Sequence, residues 1–176
     1  NPRLIYCSIT GYGQTGPYRD RAGHDINYVS MTGMQGYSGT KEGGPANLGI
    51  QVADLAGGSL HAVVGILSSV IYRNRTGIGQ HLDISMTDCA LTLNALFAQD
   101  FLSQGKPLHR EELLLNGGSF YGYYETMDGR HISVGSLEPK FRKQLCEAID
   151  RPDLLPLAMS FKPADDAKLK EQLQQV

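Results

Sequence analysis

The run LAGGSLHAVVGILSSVIYR, Leu55 to Arg73, constrains the fold more than any other part of this chain. It holds no proline, and Leu60, Val63, Val64, Leu67, Val70 and Ile71 recur at the spacing of one helical face, so a long helix is predicted with Asp54 at its N-terminus. Arg73 and Arg75 suit its C-terminal end, and TGIG supplies a stop and a turn. Upstream, LIYCSI at 4–9 is apolar and β-branched between Pro2 and Gly11, which reads as a buried strand. Downstream, Leu82 and Ile84 alternate with polar neighbours as a second strand, after which Thr87 or Asp88 can cap a helix running to about Leu102. Strand, helix, strand, helix is the grammar of an α/β layer. A further helix is expected from Ile26 to Met34, followed by YSGTKEGGPANLG as a long loop.

Beyond Gly105 the pattern changes. SFYGYYETMDGRHISVG carries two aromatic or β-branched segments around Asp128-Gly129, a hairpin signal of the type I′ kind. LEPKFRKQLCEAI then predicts a helix with Pro139 in its first turn and Phe141, Leu145 and Ile149 on one face. The expected organisation is a large α/β domain over 1–105 and, over 106–176, a linker with part of a small α+β domain. Neither end reads as a natural domain end, so the sequence is expected to be a piece of a longer protein.

A net charge of -2 offers no basic stripe for a phosphate backbone, which argues against nucleic-acid binding and for a small-molecule partner. No apolar run is expected to reach the roughly 18 to 20 residues that cross a bilayer, and no signal peptide is read at the start. Cys7, Cys89 and Cys146 are odd in number, far apart and without metal-ligand spacing, as expected of reduced thiols in a cytoplasmic setting. His61, His81, His109 and His131 likewise have no partner at such spacing, so no metal site is predicted.

Gly11, Gly13 and Gly16 spell GYGQTG after a predicted strand, matching the dinucleotide fingerprint in letters. The context differs: Pro17 and Tyr18-Arg19-Asp20 follow where a helix should start, and no second strand ends about 20 residues on. A close-approach loop is the expectation, with no nucleotide cofactor.

Four ionisable residues remain: His24, Asp25, Asp54 and Glu138. Each has an ordinary explanation. His24 can be a satisfied core histidine, Asp25 can cap the helix from Ile26, Asp54 can cap the long helix, and Glu138 can be an acid in a helix's first turn.

The motifs NPRLIYCSITGYGQTGPY, AGHDINY, QVADLAGG, RTGIGQHLDISM, GGSFYGYYETMDG and VGSLEPKF, in that order, resemble the family III CoA-transferase superfamily (CaiB/BaiF type) over nearly the whole chain. AGHDINY, with its histidine, resembles most closely the α-methylacyl-CoA racemase branch, where transferases commonly place tyrosine or another residue. The resemblance implies part of a Rossmann-like large domain plus part of a small α+β domain. It also implies a section absent before Asn1 and another absent at the C-terminus, and an interlocked homodimer.

Mapped by motif, it makes His24 and Asp54 a pair of catalytic bases, Glu138 and Asp25 acids hydrogen-bonded to them, and Gly23 and Tyr28 contacts of the CoA thioester. Inverting a carbon α to a thioester requires a base on one face and an acid on the other. The enolate oxygen then needs aimed N–H dipoles, for which the N-terminus of the long helix is the expected source. CoA enters only as part of the acyl-CoA substrate, with no separate cofactor.

Two competing readings are carried forward. In a CoA transferase of the same superfamily, Asp54 attacks the acyl thioester to give a mixed anhydride. In a non-enzymatic reading, the segment is a scaffold or dimerisation piece.

Overall fold

The structure is a computed structural model that describes all residues, Asn1–Val176. The chain forms two compact units: Asn1–Gly36 with Ala46–Pro107, and Tyr37–Pro45 with Leu108–Val176. The segment 37–45, read from sequence as loop within the first domain, clusters with the second unit. There Lys41 N–H donates to Glu111 Oε2 (2.9 Å), and Arg110 Nε donates to the Ser38 carbonyl (2.8 Å).

In the first unit, β1 (Tyr6–Thr10) pairs in parallel with β2 (His81–Ser85), Tyr6 opposite His81 and Thr10 opposite Ser85. Parallel neighbours need a long crossover, and here it contains α1 (Asp25–Met31), α2 (Met34–Tyr37) and α3 (Ala53–Thr76). The predicted Ile26–Met34 helix is in fact split by Gly33, whose φ of +83° ends one helix before the next starts. The long helix begins before Leu55. Its residues Ala53–Leu60 are wound as a π-helix and His61–Thr76 as an α-helix, closed by Gly77 at φ +79°. At 24 residues, with a window of mean hydropathy 1.6, α3 is long and apolar enough by length and composition to cross a bilayer, contrary to the sequence expectation. It packs against β1, β2 and α4 as the crossover helix of an α/β layer does.

Ser85, rather than Thr87 or Asp88, caps α4 (Met86–Leu93), its hydroxyl accepting the Asp88 N–H at 3.2 Å. The expected single helix to Leu102 breaks at buried Asn94, and α5 (Ala95–Gln104) follows. Gly57 and Gly58 let α3 and α4 approach closely, since a Cβ at 57 would stand 2.9 Å from the Met86 carbonyl oxygen. Tyr28, Val29, Ala53 and Ala90 form the core of this unit.

The second unit holds the hairpin β3 (Gly122–Glu125) and β4 (His131–Val134), then α6 (Pro139–Ala148), α7 (Leu155–Ala158) and α8 (Pro163–Gln174). The turn is not type I′: only Gly129 has positive φ, and Gly129 N–H bonds the Thr126 carbonyl (2.9 Å) in a three-residue loop. Phe141, expected on the buried face of α6, is 46% exposed, and Arg142 is buried in its place at 2%. Its guanidinium donates to the Leu137 and Ala158 carbonyls, pairs with Asp166 at 3.3 Å, and lies over the Phe120 and Phe161 rings. The core around it is Phe120, Tyr124, Cys146, Leu154, Ala158, Leu169 and Leu173.

Candidate functional site

β1 ends at Thr10, and the GYGQTG loop that follows is tied back to the first unit by its own backbone. Gly13 N–H donates to Thr10 Oγ1 (3.0 Å), Gln14 N–H to Asp83 Oδ2 (2.9 Å), and the Gly11 carbonyl accepts both the N–H and the hydroxyl of Thr87. The amides a pyrophosphate would use at Gly13 and Gln14 are therefore spent, and the next helix starts only at Asp25.

That helix begins one residue earlier than predicted, which makes His24 its N-cap position. The extended backbone of His24 (φ -132°) has its N–H bonded to Asn27 Oδ1 at 3.0 Å, and its carbonyl accepts from the Asn27 and Tyr28 N–H groups. His24 is exposed, not a core histidine.

Asp25 does not cap its own helix, and Asp54 does not cap α3. Instead, Asp25 reaches across to α3: its Oδ1 accepts the Ala53 N–H at 2.5 Å and the Asp54 N–H at 3.2 Å. Asp54 sits in the first turn of α3, half-buried, behind the helix's N-cap residue Val52. The N–H of Leu55 is also committed, to the Gln51 carbonyl at 3.0 Å. The first amides of the long helix are thus occupied, and the expected enolate-stabilising source there is not available from Ala53, Asp54 or Leu55.

His24, Asp25 and Asp54 line one open cleft of about 420 Å³ within the first unit. Ile26, Val29, Leu48 and Ile50 supply apolar wall, and Gln35, Asn47 and Gln51 add amides that sequence reasoning did not single out. Asn47, Leu48, Ile50 and Gln51 fall at the end of the glycine-rich loop and just after it, a location whose only signal in sequence was the loop itself.

Tyr28 and Gly23 are placed differently. Tyr28 is only 5% exposed, and its hydroxyl donates to the Gly23 carbonyl at 2.5 Å. Its ring meets Tyr12 edge-on at 5.2 Å, and a Cβ at Gly23 would lie 2.7 Å from both the Tyr12 hydroxyl and the Tyr28 ring. Burial, then the neighbouring Tyr12 and Asp54, push the Tyr28 phenol above its ordinary pKa, so it stays a neutral donor. Neither residue is on the wall of the cleft; the pair packs the bend that carries His24.

Glu138 belongs to the second unit, where it is the N-cap residue of α6. It is exposed and makes no side-chain capping bond. No group of three or more His, Cys, Asp or Glu gathers as a metal would require.

A profile of CoA-transferase family III matches residues 1–176. The chain is 37% identical over 175 residues to alpha-methylacyl-CoA racemase of Homo sapiens, covering 97% of this chain and 45% of that protein. It is also 37% identical over 149 residues to succinate–glutarate CoA-transferase of Agrobacterium fabrum, covering 85% of this chain and 37% of that one. Among solved structures, a CaiB/BaiF family protein from Brucella suis superposes with a TM-score of 0.75 at 32% identity, over 99% of this chain and 47% of that one. The chain spans about half the length of the curated relatives it matches.

Proposed function

The chain belongs to CoA-transferase family III, and on that premise we propose that the protein exchanges the α-proton of a 2-methyl-branched acyl-CoA, interconverting its epimers. The observation that carries this reading is that His24 and Asp54 line the same open cleft. A neutral imidazole takes the proton from one face of the α-carbon, and a protonated carboxyl at Asp54 returns one to the other; the reverse reaction exchanges the roles. The apolar wall from Ile26, Val29, Leu48 and Ile50 suits a branched acyl group. Asp25 acts here through the backbone of Asp54, holding the carboxyl's helix at the cleft. Glu138 enters as a supporting acid on the family likeness alone. CoA is part of the substrate, and no other cofactor takes part.

The same cleft supports a second reading, favoured by the 37% identity that a transferase also shows: Asp54 attacks the thioester, breaking its C–S bond and expelling the CoA thiolate, and carries the acyl group as an anhydride. The two part at His24. The test incubates the full-length protein with one epimer of a 2-methylacyl-CoA in D₂O. Deuterium at the α-carbon with loss of optical purity is expected, and His24→Ala abolishes it in at least one direction. CoA transfer onto a free acid without isotope uptake, tolerant of His24→Ala, would replace this reading by the transferase. A homodimer and a reducing, cytoplasmic setting belong to the same proposal. The apolar side chains exposed along α3 support the first, and the three free cysteines the second.

A further inference from the structure

Asp54 lies in a stretch of helix whose winding is costly to hold. In π-winding each N–H reaches the carbonyl five residues back, a geometry rare enough that it persists only where the surroundings impose it. Reversion of Ala53–Leu60 to α-winding would turn Asp54 about the helix axis relative to His61–Thr76 and carry its carboxyl off the cleft wall. Two side chains, one in this stretch and one just past its end, reach back over the same five-residue step. Ser59 Oγ donates to the Asp54 carbonyl at 3.1 Å, and His61 Nδ1 lies 2.7 Å from the Ala56 carbonyl. A carbonyl only accepts, so Nδ1 carries the proton. Nε2 is then the acceptor, 3.2 Å from the Thr92 hydroxyl on α4, and it shares that hydroxyl's one proton in alternation with the Cys89 carbonyl at 2.6 Å. The His61 ring stands at the junction between π- and α-winding and joins the wide turn to the neighbouring helix. Gly57 and Gly58 bring α4 close enough for this bridge.

We infer that His61 is a positioning residue: by tying the Ala56 carbonyl to Thr92 it holds the π-wound turn, and with it Asp54, at the cleft. The inference rests on the role given above to Asp54, although the lock itself is a property of α3.

The two amide variants separate the ring's nitrogens. His61→Asn sets an N–H near the Nδ1 position and keeps the Ala56 bond; His61→Gln reaches the Nε2 position and keeps only the side toward Thr92. In the full-length protein, amide hydrogen exchange over residues 53–60 is compared with kcat and KM for α-proton exchange. His61→Ala and His61→Gln are expected to speed amide exchange and lower kcat about tenfold each, with KM within about twofold, as loss of one hydrogen bond predicts. His61→Asn should stay within about threefold of the parent, and Thr92→Val, which removes only the tie to α4, should fall between. Parent-like amide exchange in His61→Ala, or a His61→Asn variant as impaired as His61→Ala, overturns the lock. If the parent exchanges no α-proton, the functional reading falls, and the amide pattern decides the role of His61 by itself.

Discussion

One oxygen of the Asp25 carboxylate accepts two backbone N–H groups from the start of α3, so its shape can be tested apart from its charge. Asp25→Ala leaves both amides without that acceptor and is expected to destabilise the first unit by about 0.5–2 kcal/mol, the range for a lost helix cap. Asp25→Asn retains a carbonyl oxygen there and should lose less than half as much. Denaturant titration of the two variants checks this, and equal losses would mean that charge, not acceptor geometry, is what matters. In the sequence, Asp25 and Asp54 were visible as acids at helix starts. Which helix each served was not, because the bond from Asp25 spans 28 residues and depends on where the crossover returns. Tyr28 was legible as part of a motif. Its burial followed from Gly11 and Gly23 leaving room for the ring, a matter of packing.

Among the elements, the hairpin shows what a local signal can and cannot settle. Asp128-Gly129 located the turn, and the strands fell where the aromatic and β-branched runs predicted. The turn type was missed because Asp128 spends its carboxylate inside the loop, accepting from the Thr126 hydroxyl (2.5 Å) and Arg130 Nε (2.8 Å), so it needs no positive φ. The Arg130 guanidinium, then the Thr126 hydroxyl, hold the Asp128 carboxyl down at about 2. With the folded value below the ordinary one near 3.9, this contribution is present above that ordinary value and is lost as pH falls through about 2. Cross-strand NMR contacts between Tyr123 and Ser133 should therefore persist at pH 3 and weaken toward pH 2, while Asp128→Asn flattens the dependence. A parent hairpin that already melts between pH 5 and 4 would contradict it. The break between α4 and α5 had no such signal. No proline or glycine lies there; the Asn94 amide is drawn to the Thr32 carbonyl at 3.0 Å, a partner 62 residues away.

For the whole chain, exposed surface is the telling quantity. Along α3, Leu60, Val64, Leu67 and Ile71 are each more than half exposed, and only 22% of that helix's apolar window is buried. The 176-residue chain expressed alone should accordingly enhance ANS fluorescence and scatter light as more than a monomer. A monodisperse monomer that leaves the dye dark would contradict this. By itself the sequence determined the α/β order, the long proline-free helix, the hairpin and the family, because periodicity, turn residues and motifs are properties of neighbours along the chain. Only the tertiary structure decided that Asp25 caps the helix of Asp54, that those first amides are already occupied, and that His24 and Asp54 share a cleft. Those are relations between residues about 30 positions apart, set by how the crossover packs back on its strands.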